Sequence, residues 1–474
     1  MSPGRRDLAE GAASVTLVGA EDRWLSCCRV FIHLVERPKS CESKCPRRCD
    51  EDFPFDRAEL RDVAGLDVGR ARGLDDPAAV ATGDVYLEEL RIAIVDSVPD
   101  QLGALSRAVG DPESPILAVE PEVYVYPFDS IEAAPTATGH DAAADTDDDE
   151  VDAAETYADT DTYAWGLKAV HAVPPTLATA PWAGAGIRIA VLDTGIDLGH
   201  PDFAGRVIAA QSFIPGQPVQ DGHSHGTHSA GTAAGPKTPP GTKRRYGVAH
   251  GSRLLVGKVL SDSGSGTSGQ ILAGIDWAIQ QGAHVISMSL GSAVAVGQTY
   301  YTYYEQAATA ALNAGSLIVA AAGNSGWAPV GAPANSPSVL AVAALDQALQ
   351  RAPFSCVGLN GNGGEVNIAA PGVATYSSVP VSKGSYGIKS GTSMATPHVA
   401  GVAATLARKT GLRGRALWQE LVRTAVPLPL SAQEVGAGLA VVPTRRRPIW
   451  DYQPIPWRPG PVIDPGPLEP NRIP

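Results

Sequence analysis

The sequence predicts an α/β protein whose main domain has a doubly wound parallel sheet, with helices on both faces. Two features of the chain support this prediction. Short, continuous apolar runs alternate with longer amphipathic segments after about residue 164, and strands that are buried on both faces of a sheet have this uninterrupted apolar character. In addition, 51 glycines and 39 prolines among 474 residues indicate many loops, as expected for a globular protein rather than a coiled coil or a repeat array.

Apolar runs and helical spacing locate the elements of this main domain. Four apolar runs predict strands of the sheet: residues 187–192, 254–260, 285–290 and 317–322. Helical spacing of apolar residues predicts helices over 271–281 and near 304–314. A further buried helix is predicted after Ser393, where most residues are small or aliphatic. Because proline is tolerated only in the first turn of a helix, we expect this helix to begin within about three residues of Pro397.

A smaller α+β domain is predicted at residues 24–128. Its predicted elements, in chain order, are a strand at 29–36, a helix at 56–66, a further strand near 79–86, a strand at 87–95, a helix opening at Pro99 and an extended segment at 116–126. In the second helix, Leu102, Leu105 and Val109 fall on one face. The order β-α-(β)-β-α-β is typical of a ferredoxin-like unit.

The remaining residues form three segments without a predicted core. Residues 1–23 are an N-terminal extension, and residues 444–474 are a proline-rich tail that we expect to be extended. Residues 129–163 carry many aspartates and glutamates among alanine and threonine, which predicts a disordered acidic linker. Calcium binding is the alternative, but the D-x-[DN]-x-[DN]-G pattern of a calcium loop is absent from this run. The main domain then spans residues 164–443.

Charge and hydropathy narrow the possible partners and the compartment. The formal net charge of -13 and the pI near 5.2 argue against nucleic acid as a partner. No run reaches the roughly 18 apolar residues of a membrane helix, so no membrane partner is expected. Acidic residues interrupt the stretch after Arg5 and Arg6, and no secretory signal is visible. These observations slightly favour a cytoplasmic location over export.

Five of the six cysteines lie close together near the N-terminus: Cys27, Cys28, Cys41, Cys45 and Cys49. They could bind zinc or form disulfides. Their spacing differs from the usual C-x2-C pair of a zinc site, and we expect no metal there. The remaining cysteine, Cys356, is predicted to be a buried core thiol.

Four polar residues carry the candidate chemistry. Asp193 follows a predicted strand, where open α/β sheets place their ligands, although an acid there can also be a simple turn residue. His225 lies in a run of three histidines that could alternatively bind a metal, but no nearby Cys or Glu completes a tetrahedral site. Asn324 lies in a glycine-rich turn, where it could be an ordinary turn residue or could donate a hydrogen bond to an oxyanion. Ser393 would sit at a helix N-terminus, whose free N–H groups favour the oxyanion formed when a serine attacks a carbonyl.

The order Asp193, His225, Asn324, Ser393 matches one of the chain orders in which an acid, a base and a nucleophilic serine converge on the same geometry. The blocks around these residues read VLDTGI, HGTHSAGT, AAAGN and GTSMATPHVAG. They resemble the catalytic blocks of the subtilisin-like serine peptidases, the subtilase or S8 family, over about residues 164–442. The resemblance implies a subtilisin-like catalytic domain that hydrolyses peptide bonds of polypeptide substrates through an acyl-enzyme.

The resemblance also implies a role for each residue. Ser393 is the nucleophile, His225 takes its proton and later returns it to the leaving amine, and Asp193 orients and stabilises the imidazolium. Asn324 forms the oxyanion hole with the N–H of Ser393. No cofactor is implied. Family members often carry a calcium loop after the histidine helix, but residues 236–245 are basic here and offer no carboxylate, so we expect that calcium site to be absent.

Substrate-binding residues are implied on two edges of the cleft and in the first specificity pocket: Ser289, Leu290, Gly291, Gly264, Ser265, Gly266, Gly323 and Gly331. An extended peptide would pair between the two edges by β-augmentation. The pocket should be open and uncharged, so we expect a large apolar or aromatic residue before the cleaved bond and broad tolerance elsewhere. Four tyrosines between residues 300 and 304 could rim the cleft, but packing under a loop is the expectation.

Residues 24–128 resemble the propeptide and inhibitor domain of the family, since residues 119–123 are similar to its last strand. This implies a zymogen whose prodomain assists folding and then inhibits the enzyme. Two alternatives remain. The first is a non-catalytic scaffold that binds peptides, which the intact catalytic set argues against. The second is a narrow maturation protease for one partner protein, suggested by the missing signal and the N-terminal cysteines.

Overall fold

A small unit and a large unit make up the part of the chain that the computed structural model describes, namely residues 28–34, 69–70, 84–109, 111, 114, 116–128, 156–173 and 183–442. The predicted helix at 56–66, the cysteine cluster apart from the backbone of Cys28, and the tail beyond residue 442 lie outside these residues. Within them, no helix combines the length and the apolar character needed to cross a membrane.

The small unit is a sheet with one helix. Its elements are β1 (Cys28–Leu34), β2 (Gly69–Arg70), β3 (Val85–Leu87), β4 (Ile92–Ser97), α1 (Pro99–Val109) and β5 (Ile116–Pro121), and β6 (Tyr124–Pro127) follows. The strand order is β2-β3-β4-β1-β5, and β1 is antiparallel to both of its neighbours. Side chains alternate along β1, so Val30 and Ile32 pack in a cluster with Leu105 of α1, whereas Phe31 joins the core of the large unit. The predicted small α+β domain is confirmed in these features.

Three details of the small unit differ from the predictions. Residues 87–95 form not one strand but two, β3 and β4, joined by a turn that keeps Glu88 and Glu89 exposed. The predicted segment 116–126 is interrupted at residues 122–123, between β5 and β6, where the Glu122 carboxylate accepts a hydrogen bond from the N–H of Gly269 (3.1 Å). On α1, Ala108 is buried instead of Val109, which is 39% exposed.

The large unit is built on a seven-stranded sheet with the order β15-β14-β13-β11-β7-β9-β8. The elements of this unit, in chain order, are α2 (Trp165–Ala169), β7 (Arg188–Asp193), β8 (Val207–Ser212), α3 (His225–Ala234), β9 (Arg253–Lys258), β10 (Gly266–Thr267), α4 (Ser268–Gln280), β11 (Val285–Met288), β12 (Leu290–Gly291), α5 (Thr302–Asn313), β13 (Leu317–Ala321), β14 (Leu340–Leu345), β15 (Ile368–Pro371), β16 (Thr375–Ser378), β17 (Tyr386–Lys389), α6 (Thr392–Thr410), α7 (Gly414–Thr424) and α8 (Ala432–Val435). All neighbours in the sheet are parallel.

The helices cover both faces of this sheet, which confirms the doubly wound α/β prediction. Helices α3 and α6 contribute to one apolar cluster, and α4 and α5 contribute to the cluster on the other face. The small unit packs on α4 and α5, where the rings of Phe31 and Tyr303 lie 4.5 Å apart. Tyr303 and Tyr304 are fully buried there, so these two tyrosines pack beneath the small unit rather than rim a cleft.

Helix α6 begins at Thr392, a full turn before Pro397, so the predicted start of this helix was wrong. Proline inside a helix leaves the carbonyl four residues earlier without its N–H partner. Here that carbonyl belongs to Ser393, and it accepts a hydrogen bond from the hydroxyl of Ser289 (2.8 Å) instead. A side chain of the neighbouring loop therefore replaces the missing backbone bond, and Ser393 remains in the first turn of the helix.

Candidate active site

Asp193 and His225 meet at the carboxyl end of the sheet. Asp193 is the last residue of β7, and His225 is the first residue of α3. The Nδ1 atom of His225 lies 2.7 Å from the Oδ1 atom of Asp193, and both side chains are fully buried. The same Oδ1 atom accepts the backbone N–H of Thr194 (2.7 Å). The carboxylate is thus anchored to its own strand end and holds the imidazole ring in one orientation.

A second buried carboxylate, Asp221, holds the turn that leads into α3. Its Oδ1 atom accepts the hydroxyl of Thr194 (2.9 Å) and the N–H groups of His223 (3.0 Å) and Ser224 (2.8 Å). Its Oδ2 atom accepts the N–H (2.8 Å) and the hydroxyl (2.6 Å) of Thr227. One side chain therefore connects the strand end beside Asp193 to the residues on both sides of His225. Asp221 was not predicted as a site residue, although it opens the histidine-rich block.

Ser393 lies in the first turn of α6 and is fully buried. Its hydroxyl donates a hydrogen bond to the carbonyl oxygen of Ser289 (2.9 Å), and the hydroxyl of Ser289 donates to the carbonyl of Ser393 (2.8 Å). This reciprocal pair attaches the start of α6 to the loop between β11 and β12. Of the predicted substrate-binding residues, Ser289 therefore contacts the serine directly.

The oxygen of the Asn324 side chain is held by Thr392, and its nitrogen is the hydrogen-bond donor that faces Phe128. Its Oδ1 atom accepts both the N–H and the hydroxyl of Thr392 (2.9 Å each), which fixes the orientation of the amide. Its Nδ2 atom donates to the carbonyl oxygen of Phe128 (2.6 Å). Gly391, with φ of 152°, lies against the same carbonyl oxygen, and a Cβ atom there would collide with it. The Phe128 carbonyl thus rests between Asn324 and the start of the helix that carries Ser393.

The segment that carries Phe128 lies between two strand edges. Strand β6 is antiparallel to β10 on one side, where Val125 pairs with Gly266, and to β12 on the other side, where Tyr126 pairs with Gly291. Val125 is fully buried, whereas Tyr126 is 53% exposed. A strand held between two edges in this way has the geometry of β-augmentation.

The ring of Phe128 faces three glycines. A Cβ atom built on Gly291 would lie 2.7 Å from the ring, and one built on Gly331 or Gly323 would lie 3.4 Å or 3.7 Å from it. Because glycine has no side chain, these three positions leave the space that the aromatic ring occupies. Cys356 supports this wall, because its Sγ atom accepts the N–H of Ser325 (3.4 Å). Burial raises the pKa of the Cys356 thiol.

The structure places the predicted substrate-binding residues in three groups. Gly266, Leu290 and Gly291 belong to the edges that pair with β6. Gly323 and Gly331 lie beside the ring of Phe128. Gly264 and Ser265 lie in the turn before β10, where the Gly264 N–H donates to the carbonyl of Ser261 (2.9 Å). Two residues of this region were not predicted: Thr267, which pairs with Tyr124, and Phe128, the last aromatic residue before the acidic run.

Comparison with known proteins decides the family. A sequence model of the Subtilase family, Peptidase_S8, matches residues 184–438, which is more than half of the chain. The chain belongs to the subtilase family. Subtilisin from Bacillus pumilus is 42% identical over 251 residues, which cover 52% of this chain and 84% of that protein. An alkaline protease from Alkalihalobacillus alcalophilus is 39% identical over 306 residues, covering 63% of this chain and 75% of the relative.

A third relative, subtilisin E from Bacillus subtilis (strain 168), is 41% identical over 251 residues, or 52% of this chain and 61% of the relative. This subtilase is accordingly a serine endopeptidase with a subtilisin-like α/β domain, and polypeptides are its substrates. The predicted recognition of the family and the predicted enzyme class are confirmed.

The metal predictions concern two regions of this subtilase. In the histidine-rich block, His225 contacts Asp193, and the Nε2 atom of His228 lies 3.0 Å from the carbonyl oxygen of Thr375. Across the described ranges of the chain, no group of three His, Cys, Asp or Glu side chains is arranged to hold a metal ion. Directly after the basic stretch 236–245, the hydroxyl of Tyr246 donates a hydrogen bond to the carboxylate of Asp202.

Proposed function

We propose that Ser393, His225, Asp193 and Asn324 hydrolyse the peptide bond that follows a residue placed where Phe128 lies. The observation that carries this assignment is the Phe128 carbonyl oxygen, 2.6 Å from the Asn324 amide and next to the first turn of α6. We infer that the Ser393 hydroxyl attacks the carbon of a carbonyl in that place after it turns from the Ser289 carbonyl toward His225.

The reaction then follows from the contacts of each residue. The Ser393 oxygen attacks the carbonyl carbon, and its proton passes to Nε2 of His225, since Nδ1 is held by Asp193. The negative charge that forms on the carbonyl oxygen meets the amide of Asn324 and the N–H of Ser393. His225 then gives the proton to the leaving nitrogen, and an acyl-enzyme on Ser393 remains. Water, activated by the same histidine, cleaves this ester and restores the hydroxyl.

We infer a preference for a large apolar or aromatic residue before the cleaved bond. The support is the wall of three glycines, Gly291, Gly323 and Gly331, around the ring of Phe128. None of them carries a charge, and added side chains would occupy the space of the ring. The buried Val125 indicates a second apolar subsite, whereas the exposed Tyr124 and Tyr126 indicate tolerance at those positions. The enzyme would recognise a substrate mainly through its backbone and through the two side chains at the positions of Phe128 and Val125.

We further infer that the chain is a zymogen whose residues 24–128 inhibit the catalytic unit, and that the enzyme cuts its own chain between Phe128 and Asp129. The support is that β6 occupies the cleft as a substrate strand would, with the Phe128 carbonyl at the oxyanion donor. After this cut the new C-terminal strand would remain seated in the cleft, and it would compete with substrates.

Two glutamates support the tight attachment of the inhibitory unit. Glu120 accepts the N–H groups of Thr302 and Tyr303 (3.1 Å each) at the start of α5, and Glu122 accepts the N–H of Gly269 in the first turn of α4. Carboxylates at helix N-termini satisfy free N–H groups and complement the helix dipole. Burial alone would raise the pKa of Glu120, but hydrogen bonds from His33 and Thr302 lower it below the ordinary value.

Asp276 makes the same attachment sensitive to pH. Its Oδ1 atom accepts the N–H of Glu89 in the turn between β3 and β4 (3.0 Å), and Gln280 donates to its Oδ2 atom (2.7 Å). Burial raises the pKa of Asp276 to about 7, and the charges of Glu88 and Glu89 add to this effect. The ionised form is therefore disfavoured while the small unit covers α4.

The enzyme assignment is tested with a fluorophosphonate probe on the self-processed protein. We expect one label, on Ser393, and no label after Ser393→Ala. An intact but unlabelled Ser393 would favour a peptide-binding scaffold instead. A peptide library then tests specificity: cleavage after many sequences with a large apolar residue before the bond is expected. Cleavage confined to one sequence would overturn the broad specificity and favour a maturation protease for one partner.

A further inference from the structure

A basic pocket lies on the large unit along the stretch 237–243. Its volume is about 750 Å³, and its walls are residues 162–163, 237–243 and Arg245. Lys237, Lys243 and Arg245 contribute three cationic side chains to these walls, and no aspartate or glutamate lines them. The pocket therefore presents an excess of positive charge to its contents.

Arg245 lacks a carboxylate partner within the described part of the chain. The side chain is only 5% exposed, and its Nη2 atom donates to neutral acceptors: the carbonyls of Gly247 (3.3 Å) and Val248 (3.4 Å) and Nδ1 of His250 (3.2 Å). Its Nε atom is buried without a hydrogen-bond acceptor. Burial without a counter-charge lowers the pKa of Arg245 to about 10. A buried cation of this kind is costly unless an anion lies nearby.

The titratable groups near Arg245 do not pair with it as a counter-charge. Burial and the neighbouring Arg245, Lys237 and Arg206 lower the pKa of His250 to about 4, so this imidazole is neutral near pH 7. The nearby carboxylate of Asp202 accepts the hydroxyls of Tyr246 and Tyr386. No described salt bridge joins a carboxylate to the three cations of the pocket.

The residue before Arg245, Arg244, already contacts part of the acidic run. Arg244 donates from Nη1 to the carboxylate of Asp159 (2.8 Å) and from Nε to the carbonyl of Thr160 (2.8 Å). Asp159 is part of the acidic run, and the residues just before it, 141–155, contain eight aspartates and glutamates and no lysine or arginine. The acidic run is thus attached through Asp159 to the residue beside a pocket that contains cations without a described carboxylate partner.

We propose that this basic pocket binds an aspartate-rich polypeptide segment, and that its ligand is residues 141–155 of the same chain. Carboxylates of the ligand would pair with Lys237 and Lys243 in the pocket walls and offset the buried charge of Arg245. The contact between Arg244 and Asp159 delivers the ligand at a high effective concentration. Cleavage after Phe128 would leave this segment on the catalytic side, so the mature enzyme would keep it.

Zero-length coupling of amines to carboxylates tests the contact directly in the full chain carrying Ser393→Ala. At low salt, carbodiimide treatment should join Lys237 and Lys243 to residues 141–155 with at least a tenfold higher yield than the exposed Lys383. In 1 M salt, where the Debye length is about 3 Å, this preference should disappear. A mixture of ¹⁵N-labelled and unlabelled chains separates intramolecular from intermolecular products. Equal yields at the three lysines would overturn the proposal, and products only between chains would overturn the assignment to the same chain.

Thermal unfolding of the same full chain provides a second, independent readout. Lys243→Gln and the replacement of the acidic residues of 141–155 by their amides should each lower the Tm, and the two changes together should lower it no further than either alone. Arg408→Gln removes another exposed charge, near the end of α6, and is the matched control, whose effect should simply add to that of the amide replacements. Additive effects of Lys243→Gln and the amide replacements would overturn the proposal.

Discussion

Replacing Phe128 by alanine should slow the first cleavage of the chain. Burial of a phenylalanine side chain contributes about 1.5–3 kcal/mol. The ring of Phe128 is half-buried among Gly291, Gly323 and Gly331, so we take a value in the lower half, about 2 kcal/mol. At 1.36 kcal/mol for each tenfold change in rate, the expected loss is about 30-fold. The backbone contacts of β6 do not involve the ring, and they should persist.

Tyr126→Ala is the matched control, because it removes an aromatic ring from the same strand. That ring is 53% exposed, and the backbone of Tyr126 still pairs with Gly291. The assay follows the disappearance of full-length chain on gels after refolding, and mass spectrometry identifies the bond that is cut. We expect cleavage between Phe128 and Asp129, slowed in Phe128→Ala and nearly unchanged in Tyr126→Ala. Equal rates for both variants, or a cut elsewhere in the parent protein, would refute the reasoning.

Three further predictions concern single side chains. Asn324→Ala should lower kcat on a peptide substrate 100- to 1000-fold with little change in KM, a magnitude of roughly 2.7–4 kcal/mol carried over from subtilisin itself; an unchanged kcat would contradict the oxyanion role. Release of the cleaved small unit should become easier as pH rises from about 4 to 7, because Asp276, whose pKa is about 7 when buried, must then be buried as an anion. Asp276→Asn should abolish this pH dependence, and its persistence would point to another group. Asp221→Asn should reduce kcat and cost about 1–3 kcal/mol of stability, because an amide NH₂ cannot accept the two hydrogen bonds of Thr227; a stability loss with unchanged kcat would limit Asp221 to a structural role.

Ionisation of Asp276 opposes the attachment of the small unit. Its pKa is higher under the small unit than the ordinary value of 3.8, so binding of the small unit takes up a proton in this range. The contribution of Asp276 to the contact is therefore largest below about pH 4, weakens as pH rises toward 7 and changes little above it. Inhibition of peptide cleavage by the retained small unit, measured from pH 4 to 8, gives the profile.

The main elements were predictable because they depend on local patterns. Continuous apolar runs identified β7, β9, β11 and β13, since parallel strands are buried on both faces. Strands β8, β14 and β15 were not predicted, and neither was the turn between β3 and β4. In that turn two glutamates interrupt a run that otherwise has the pattern of a strand. Packing of the turn on α4 decides that Ile92 is buried and that Glu89 is exposed.

The start of α6 shows how tertiary structure can override a local rule. Proline alone predicted a helix beginning near Pro397, because its ring removes one backbone hydrogen bond. The hydroxyl of Ser289, more than a hundred residues away in the chain, supplies a donor to the released carbonyl. No local sequence pattern around Pro397 predicts that this donor is present.

By itself, the sequence determined the family, the fold class and the chain order of four residues, Asp193, His225, Asn324 and Ser393. The family and the order follow from short sequence blocks, and the fold class follows from the spacing of apolar residues. Only the tertiary structure decided that the Phe128 carbonyl rests on Asn324 and that a buried Arg245 faces a pocket without carboxylates. Those facts depend on the pairing of β6 between β10 and β12 and on the way residues 159–163 pass along the basic stretch. Contacts between residues so far apart in the chain arise from the packing of complete elements, which no periodicity or short motif encodes.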